Sequence, residues 1–393
     1  MDFRLSQQQQ TIRDGIEKLC AGFSEDYWLE RDRDGRFPAE FHAAMARDGW
    51  LGIAMPETVG GAGLGIVEAS IMMEAVARSG GGMAAASSIH GPVFSMEPVI
   101  RFGTAAQQAR MIPPILRGED RMCFAVTEPN VGLDTTKLKT RAERCTLADG
   151  RPGYRVNGEK IWISVAQVAN RMMLLARTTP LDQVRRKTDG LSLFFTDLDR
   201  TRIDIRLIHK MGRHAVDSNM LFITDLMVPE EDRIGAEGDG FRMILHGLNP
   251  ERILLAAEAI GLGRAAIRRA ARYATERIVF DRPIGMNQGI QHPLAKCWAQ
   301  LDAAWLMAMQ AANLYDSGEE CGIEANSAKY LGGEHGFEAC HTAMLTLGGM
   351  GYAQEYHVER YLRESLIPRI APVSPHMILN FIAERALGLP KSY

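Results

Sequence analysis

Apolar residues recur at helical spacing through the first third of the chain. Ile12, Ile16, Leu19 and Phe23 follow Ser6 and Gln9, a capping-box pair that predicts a helix start. Thr104 and Gln107 repeat that pair ahead of Met111, Ile112 and Leu116. From about residue 123 the pattern changes. Short β-prone runs at Lys160–Ser164, Leu191–Phe195 and Leu221–Ile223 are separated by turn signals at Asp149-Gly150, Asn157-Gly158 and Pro229. After Gly240 helical spacing returns in longer stretches. Asn249 and Pro250 read as the cap and first turn of a helix whose apolar face carries Ile253, Leu254, Ala257, Ile260 and Leu262 to about Arg277. Arg264, Arg268 and Arg272 mark a second face, read as a solvated basic stripe. Further helices are predicted over 289–316, 322–346 and 374–387.

This order predicts an α+β multidomain fold. A helical N-terminal domain spans 1–122, a β-barrel-like middle domain 123–233, and a C-terminal four-helix bundle 234–393. It is not the strand–helix alternation of a dinucleotide-binding sheet. Gly60–Gly65 reads as a turn, because no Gly-Lys-Ser/Thr follows it and no strand precedes it. Gly348–Gly351 reads as a helix stop.

Composition narrows the function classes. At 393 residues the chain is too long for one core, which supports several packed units. A net charge of −3 argues against a nucleic-acid binder, which needs a basic surface. No uncharged apolar run reaches membrane-spanning length. The start, Met1 to Leu5, lacks signal-peptide and transit features, so a cytoplasmic or matrix-like compartment is expected. Six cysteines without a C-x-x-C pair read as reduced thiols, and ten histidines without H-E-x-x-H offer no metal site.

Five motifs then occur in order. They are Val126-Thr127-Glu128-Pro129 with Gly132-Leu133-Asp134; Gly158-Glu159-Lys160-Ile161-Trp162-Ile163-Ser164; Glu276-Arg277-Ile278-Val279-Phe280 with Gln288 eight residues on; Leu347-Gly348-Gly349-Met350-Gly351-Tyr352; and Glu359-Arg360-Tyr361. In type and spacing they resemble the acyl-CoA dehydrogenases along nearly the whole chain. The resemblance implies FAD bound between the middle domain and the bundle. It also implies a homotetramer in which the adenosine half reaches a neighbouring subunit, and an electron-transferring flavoprotein as electron acceptor. Val126 and Thr127 would then contact the flavin edge, Trp162 would cover the ring, and Ser164 would direct its hydroxyl at the ring. Arg277 would neutralise the pyrophosphate of a neighbour's FAD. Phe280, Gln288, Gly348 and Gly349 would hold the adenosine end.

The chain also departs from the pattern. Most family members carry a catalytic glutamate in an E-G-T stretch near the C-terminus, where this sequence reads Ala371-Pro372-Val373-Ser374. Pro372 accepts no proton and has no N–H for a thioester carbonyl, so Val373 or Ser374 would have to present one. Ser374 keeps the hydroxyl of the expected threonine and the flavin contact that goes with it. A minority of the family, including isovaleryl-CoA dehydrogenase, places the base on the first long bundle helix, directly before an arginine. Asn249-Pro250-Glu251-Arg252 matches that arrangement, which makes Glu251 the candidate base and Glu258 a distant second. Arg252, Asn249 and Leu133 would face the substrate. Leu133 replaces a serine, and Leu345 stands where a glutamine often precedes L-G-G. The implied reaction is α,β-dehydrogenation of an acyl-CoA. A flavin oxidase or monooxygenase on the same fold, or a non-catalytic assembly protein, is the alternative.

Overall fold

The computed structural model describes residues 4–392; the first three residues of the leader reading, Met1 to Phe3, lie outside the described residues. Helices come first: α1 (Gln7–Cys20), α2 (Glu25–Asp34), α3 (Ala39–Arg47), α4 (Ile66–Val76), α5 (Gly82–Ser95), α6 (Glu97–Phe102) and α7 (Ala105–Leu116). Both capping boxes form. The Ser6 hydroxyl accepts the Gln9 N–H while the Gln9 side chain accepts the Ser6 N–H, and Thr104 and Gln107 do the same. The Gly60–Gly65 turn leads directly into α4, and Asp316 closes that helix end. Its carboxylate accepts the Ile66 and Val67 N–H groups at 2.8 and 2.9 Å. The anion favoured at a helix N-terminus is thus supplied by the protein itself.

The middle region forms β1 (Met122–Ala125), β2 (Arg141–Thr146), β3 (Pro152–Ser164), β4 (Arg171–Arg177), β5 (Leu191–Asp197), β6 (Ile203–Leu207), β7 (Ser218–Pro229) and β8 (Arg233–Ile234). Their sheet runs β6-β7-β3-β2-β4-β5-β8, with β1 parallel to β4. β6 and β8 are the ends of this curved path. Asn157-Gly158 is not a turn between strands, as its sequence suggests, but a bulge inside β3. Gly158 passes so close to Thr140 that a Cβ would lie 2.4 Å from its hydroxyl, and the Asn157 side chain accepts the Asp225 N–H across the sheet. Asp149-Gly150 is a true turn, and Pro229 ends β7.

The last region holds α8 (Gly240–Glu276), the hairpin β9 (Ile278–Val279) and β10 (Arg282–Pro283), α9 (Gln288–Asp316), α10 (Gly322–Leu347), α11 (Gly349–Tyr352), α12 (Val358–Glu364), α13 (Ile367–Ile370) and α14 (Pro375–Ala386). α8 begins nine residues before the expected cap at Asn249 and runs straight through Pro250. Burial of Met243 and Ile244 carries the helix back to Gly240, which offsets the one backbone hydrogen bond that Pro250 cannot donate. Glu251 therefore lies well inside a helix rather than in its first turn. The basic stripe divides as well. Arg268 and Arg272 are exposed, but Arg264 bonds Glu74 and Asp302 and lies over the Trp305 ring, tying α8 to α4 and α9. Gly348 ends α10 with a positive φ of 59°. Among the described residues, no helix is long and apolar enough to cross a membrane, no cluster of metal ligands occurs, and the six cysteines are unpaired.

Candidate active site

Two of the motifs are clasped together by a buried lysine. Lys160, fully enclosed on β3, donates to Glu128 at 3.0 Å and to the carbonyls of Val126 and Leu175 at 3.1 and 2.7 Å. Glu128 in turn accepts the N–H groups of Lys139 and Thr140 at 2.5 and 3.0 Å. The Ile161 N–H donates to the Thr127 carbonyl at 2.9 Å. The backbone of Val126 and Thr127 is thereby fixed beside Trp162. Trp162 sits at a second irregularity of β3, at φ 63°, and the residue is 57% exposed. Left-handed backbone at a tryptophan is strained, a feature that concentrates at functional sites. Ser164, one pleat further on, accepts a hydrogen bond from Arg213 at 3.0 Å, which leaves its own hydroxyl proton to be donated elsewhere. Arg213 also donates to Ser218 and, across to α5, to Ser87 at 3.1 Å.

Glu251 lies on α8, within electrostatic reach of His90, Glu258 and Lys329. Its carboxyl is held in a poorly solvated place, and burial pushes its pKa up to about 7 despite the opposing charges of His90 and Arg252. Arg252 donates to Asn249 at 2.9 Å, so these two residues brace each other on the helix turn around the glutamate. Opposite, Lys329 of α10 donates to the Val373 carbonyl at 2.6 Å and pins the segment that contains Pro372. The N–H groups of Val373 and Ser374 have no protein acceptor among the described residues. Ser374 caps α14, its hydroxyl oxygen accepting the Met377 N–H at 3.4 Å.

The remaining predicted residues lie elsewhere. Arg277 follows the end of α8, 26 residues beyond Glu251, or about 39 Å of helix axis. Phe280, at the tip of the β9–β10 hairpin, is 93% exposed, and Gln288 opens α9. Gly348 and Gly349 join α10 to α11, where a Cβ would meet nothing, and Leu345 is exposed beside them. Leu133 is exposed near the Val126 segment. Glu359-Arg360-Tyr361 is a structural motif: buried Arg360 donates to the Gly80 carbonyl at 2.6 Å, holding α12 against the start of α5. Sequence reasoning missed Arg213, Lys329 and His90. Each lacks a local motif and gains its place through partners distant in the chain.

Comparison with known proteins places this geometry. Three domain models cover the chain: acyl-CoA dehydrogenase N-terminal domain over residues 6–119, middle domain over 123–226 and C-terminal domain over 238–387. The chain belongs to the acyl-CoA dehydrogenase family. It is 35% identical to the acyl-CoA dehydrogenase FadE12 of Mycobacterium tuberculosis, over 99% of this chain and 98% of that protein. It is 32% identical to the caffeyl-CoA reductase–Etf complex subunit CarC of Acetobacterium woodii, over 89% and 91%. The solved complex of glutaryl-CoA dehydrogenase with glutaryl-CoA superposes with a TM-score of 0.93 at 30% identity, covering 100% of this chain and 98% of that one.

As a member of this family the chain is an oxidoreductase acting on an acyl-CoA, and its cofactor is FAD. The residues present fit that group. The exposed, strained Trp162 offers an apolar face for a flat ring, while Ser164 and Thr127 carry hydroxyls with donor capacity left for its polar edge.

Proposed function

We propose that this acyl-CoA dehydrogenase removes a hydrogen pair from the α and β carbons of a saturated acyl thioester, with Glu251 as the base. One observation carries the assignment: the poorly solvated Glu251 carboxyl, its pKa raised to about 7, lies on α8 within electrostatic reach of His90 on α5, the helix that Arg213 ties to Ser164. A base poised near neutrality takes a weakly acidic α proton better than an ordinary glutamate, yet is substantially ionised at working pH. Bound FAD supplies the hydride acceptor. The chain's own residues do the rest. Val126, Thr127, Trp162 and Ser164 would hold the ring edge and face, and the Lys160 clasp keeps them in place. Arg252, fixed by Asn249, supplies a positive charge that favours the charged form of Glu251. An N–H of Val373 or Ser374, pinned by Lys329, would receive the thioester carbonyl as negative charge develops on its oxygen. Leu133 would lie at the mouth, where the thioester arm enters.

Arg277, Phe280, Gln288, Gly348 and Gly349 would serve the FAD of a second copy. The length of helix between Glu251 and Arg277 supports this, because one subunit cannot bring both to one ring system. A homotetramer with shared FAD sites satisfies that geometry. Electrons would leave to an electron-transferring flavoprotein, a reading supported by the relative named as a subunit of an Etf complex. The test is anaerobic flavin reduction by a panel of acyl-CoAs, wild type against Glu251→Gln. Reduction at an unchanged rate in the variant removes Glu251 as the base.

A further inference from the structure

A second ionisable pair lies beside the proposed base and takes no part in the chemistry described above. His90 of α5 and Glu258 of α8 meet at 2.5 Å between Nδ1 and Oε1. Glu258 is seven residues from Glu251, two helical turns along the same face, or about 10 Å. Both residues of the pair act electrostatically on Glu251, and Arg213, which touches Ser164, acts on both of them. Arg213 donates both to Ser164 and to Ser87, one helical turn before His90 on α5, so the pair lies near the flavin-facing strand as well as near the base.

Its surroundings are apolar. Leu254, Leu255 and Leu262 flank Glu258 on α8, Ile89 precedes His90, and the Phe94 ring lies 4.8 Å from the imidazole. Enclosing a histidine–glutamate pair there costs free energy, and the pair is only half satisfied. Glu258 Oε2 is buried without a hydrogen-bond partner. Its Oε1 fixes the imidazole, so Nδ1 carries the proton towards the carboxylate and Nε2 is turned away from it. Nε2 bonds no other described residue, and 15% of the His90 side chain remains exposed. A hydrocarbon acyl chain would leave that nitrogen desolvated and unpaired.

We propose that His90 Nε2, oriented by Glu258, recognises a hydroxyl on the acyl chain, so that the enzyme prefers hydroxylated acyl thioesters over their hydrocarbon counterparts. A hydroxyl suits this nitrogen in either protonation state, because it donates to the neutral ring and accepts from the charged one. Burial pushes the His90 pKa down, but Glu258 outweighs it and the net direction is upward, which favours the accepting role for the hydroxyl oxygen. Sites built to hydrogen-bond a substrate hydroxyl reject the analogue lacking it far more strongly than apolar pockets reject an added methylene.

This inference rests on the dehydrogenase reading, and one experiment separates the two. Holoenzyme is mixed anaerobically with two matched pairs of thioesters, pentanoyl-CoA against 5-hydroxypentanoyl-CoA and 3-phenylpropanoyl-CoA against 3-(4-hydroxyphenyl)propanoyl-CoA. Flavin bleaching gives the apparent specificity for each. The expected result is a preference of about tenfold or more for the hydroxylated member of at least one pair. That ratio should collapse towards one in His90→Phe, which keeps a ring against Phe94, and should weaken in Glu258→Gln, which loosens the ring's orientation. FAD content reports folding in both variants. If both members bleach the wild-type flavin equally, or if the preference survives in His90→Phe, the recognition role falls while the dehydrogenase reading stands. If no thioester bleaches the flavin, both fall.

Discussion

Glu128 and Glu251 are both carboxyl groups held away from water, one in the β domain and one in the helical bundle, and their titration shifts in opposite directions. Burial raises both. For Glu128 it is outweighed by the Lys160 ammonium and the donors of Lys139 and Thr140, and the group is held below the usual carboxylate range. Glu251 has charges nearby but no hydrogen bonds among the causes of its shift, so burial prevails and it rises to about 7. The two differ in their donors as well as in their burial. A carboxylate given a full set of donors stays charged and builds structure, whereas one given only distant charges can exchange a proton near neutrality.

The strongest way to break this comparison is to remove the exchangeable proton site. Glu251→Gln keeps the shape of the side chain and should lower the rate of anaerobic flavin reduction by about 10²–10⁴-fold, the usual contribution of a positioned base. FAD content should stay near wild type. Stopped-flow absorbance measures the rate, and a fall below about tenfold would place the base elsewhere.

Removing the lysine from the other cluster should cost stability rather than chemistry. Lys160→Met leaves Glu128 buried without its cation and should lower unfolding free energy by about 3–5 kcal/mol, read from a denaturant midpoint. Because Lys160 also holds the Val126 carbonyl, the variant should lose FAD more readily. A stable variant with normal FAD content would show that the clasp is dispensable.

Arg277 asks whether one chain contains all the charges that matter. Arg277→Ala should weaken FAD binding by about ten- to a hundredfold, the loss expected for a charge-assisted bond to phosphate. The rate of flavin reduction in the fully loaded enzyme should change little. Titration of the apoprotein with FAD measures the affinity; an unchanged value would refute the shared-site arrangement.

The gentlest probe is pH. Glu251 must be ionised to take a proton, and its pKa is raised to about 7. The reduction rate should therefore fall about tenfold per pH unit below that value and level off above it. A rate independent of pH between 5.5 and 8.5 would separate Glu251 from the rate-limiting proton transfer. Glu128, titrating low, should leave no mark in that range.

Much of this was readable in the chain because the signals are local. Capping boxes need only four residues, and both formed. The five motifs are legible by their local spacing, although the contacts that join them are not local: β3 brings Ile161 against Thr127 from 34 residues away. Where a local signal had a long-range competitor, it misled. Asn157-Gly158 has the form of a turn, but pairing with β7 on either side turned it into a bulge. Pro250 has the form of a first-turn residue, but burial of Met243 and Ile244 drew the helix nine residues further back. Arg264 has the form of a solvated cation until α4 and α9 bring Glu74 and Asp302 to it.

By itself, the sequence determined the order of helical, β and helical regions, the family, its FAD, and the candidacy of Glu251 once Pro372 stood in the usual place. Those conclusions depend on spacing along the chain, and spacing survives without coordinates. Only the tertiary structure decided which buried charges are satisfied. It joined Lys160 to Glu128, left Glu251 without donors, and set His90 against Glu258 from 168 residues away. Protonation depends on the solvent and partners that packing supplies, and those partners come from elements that no local pattern connects.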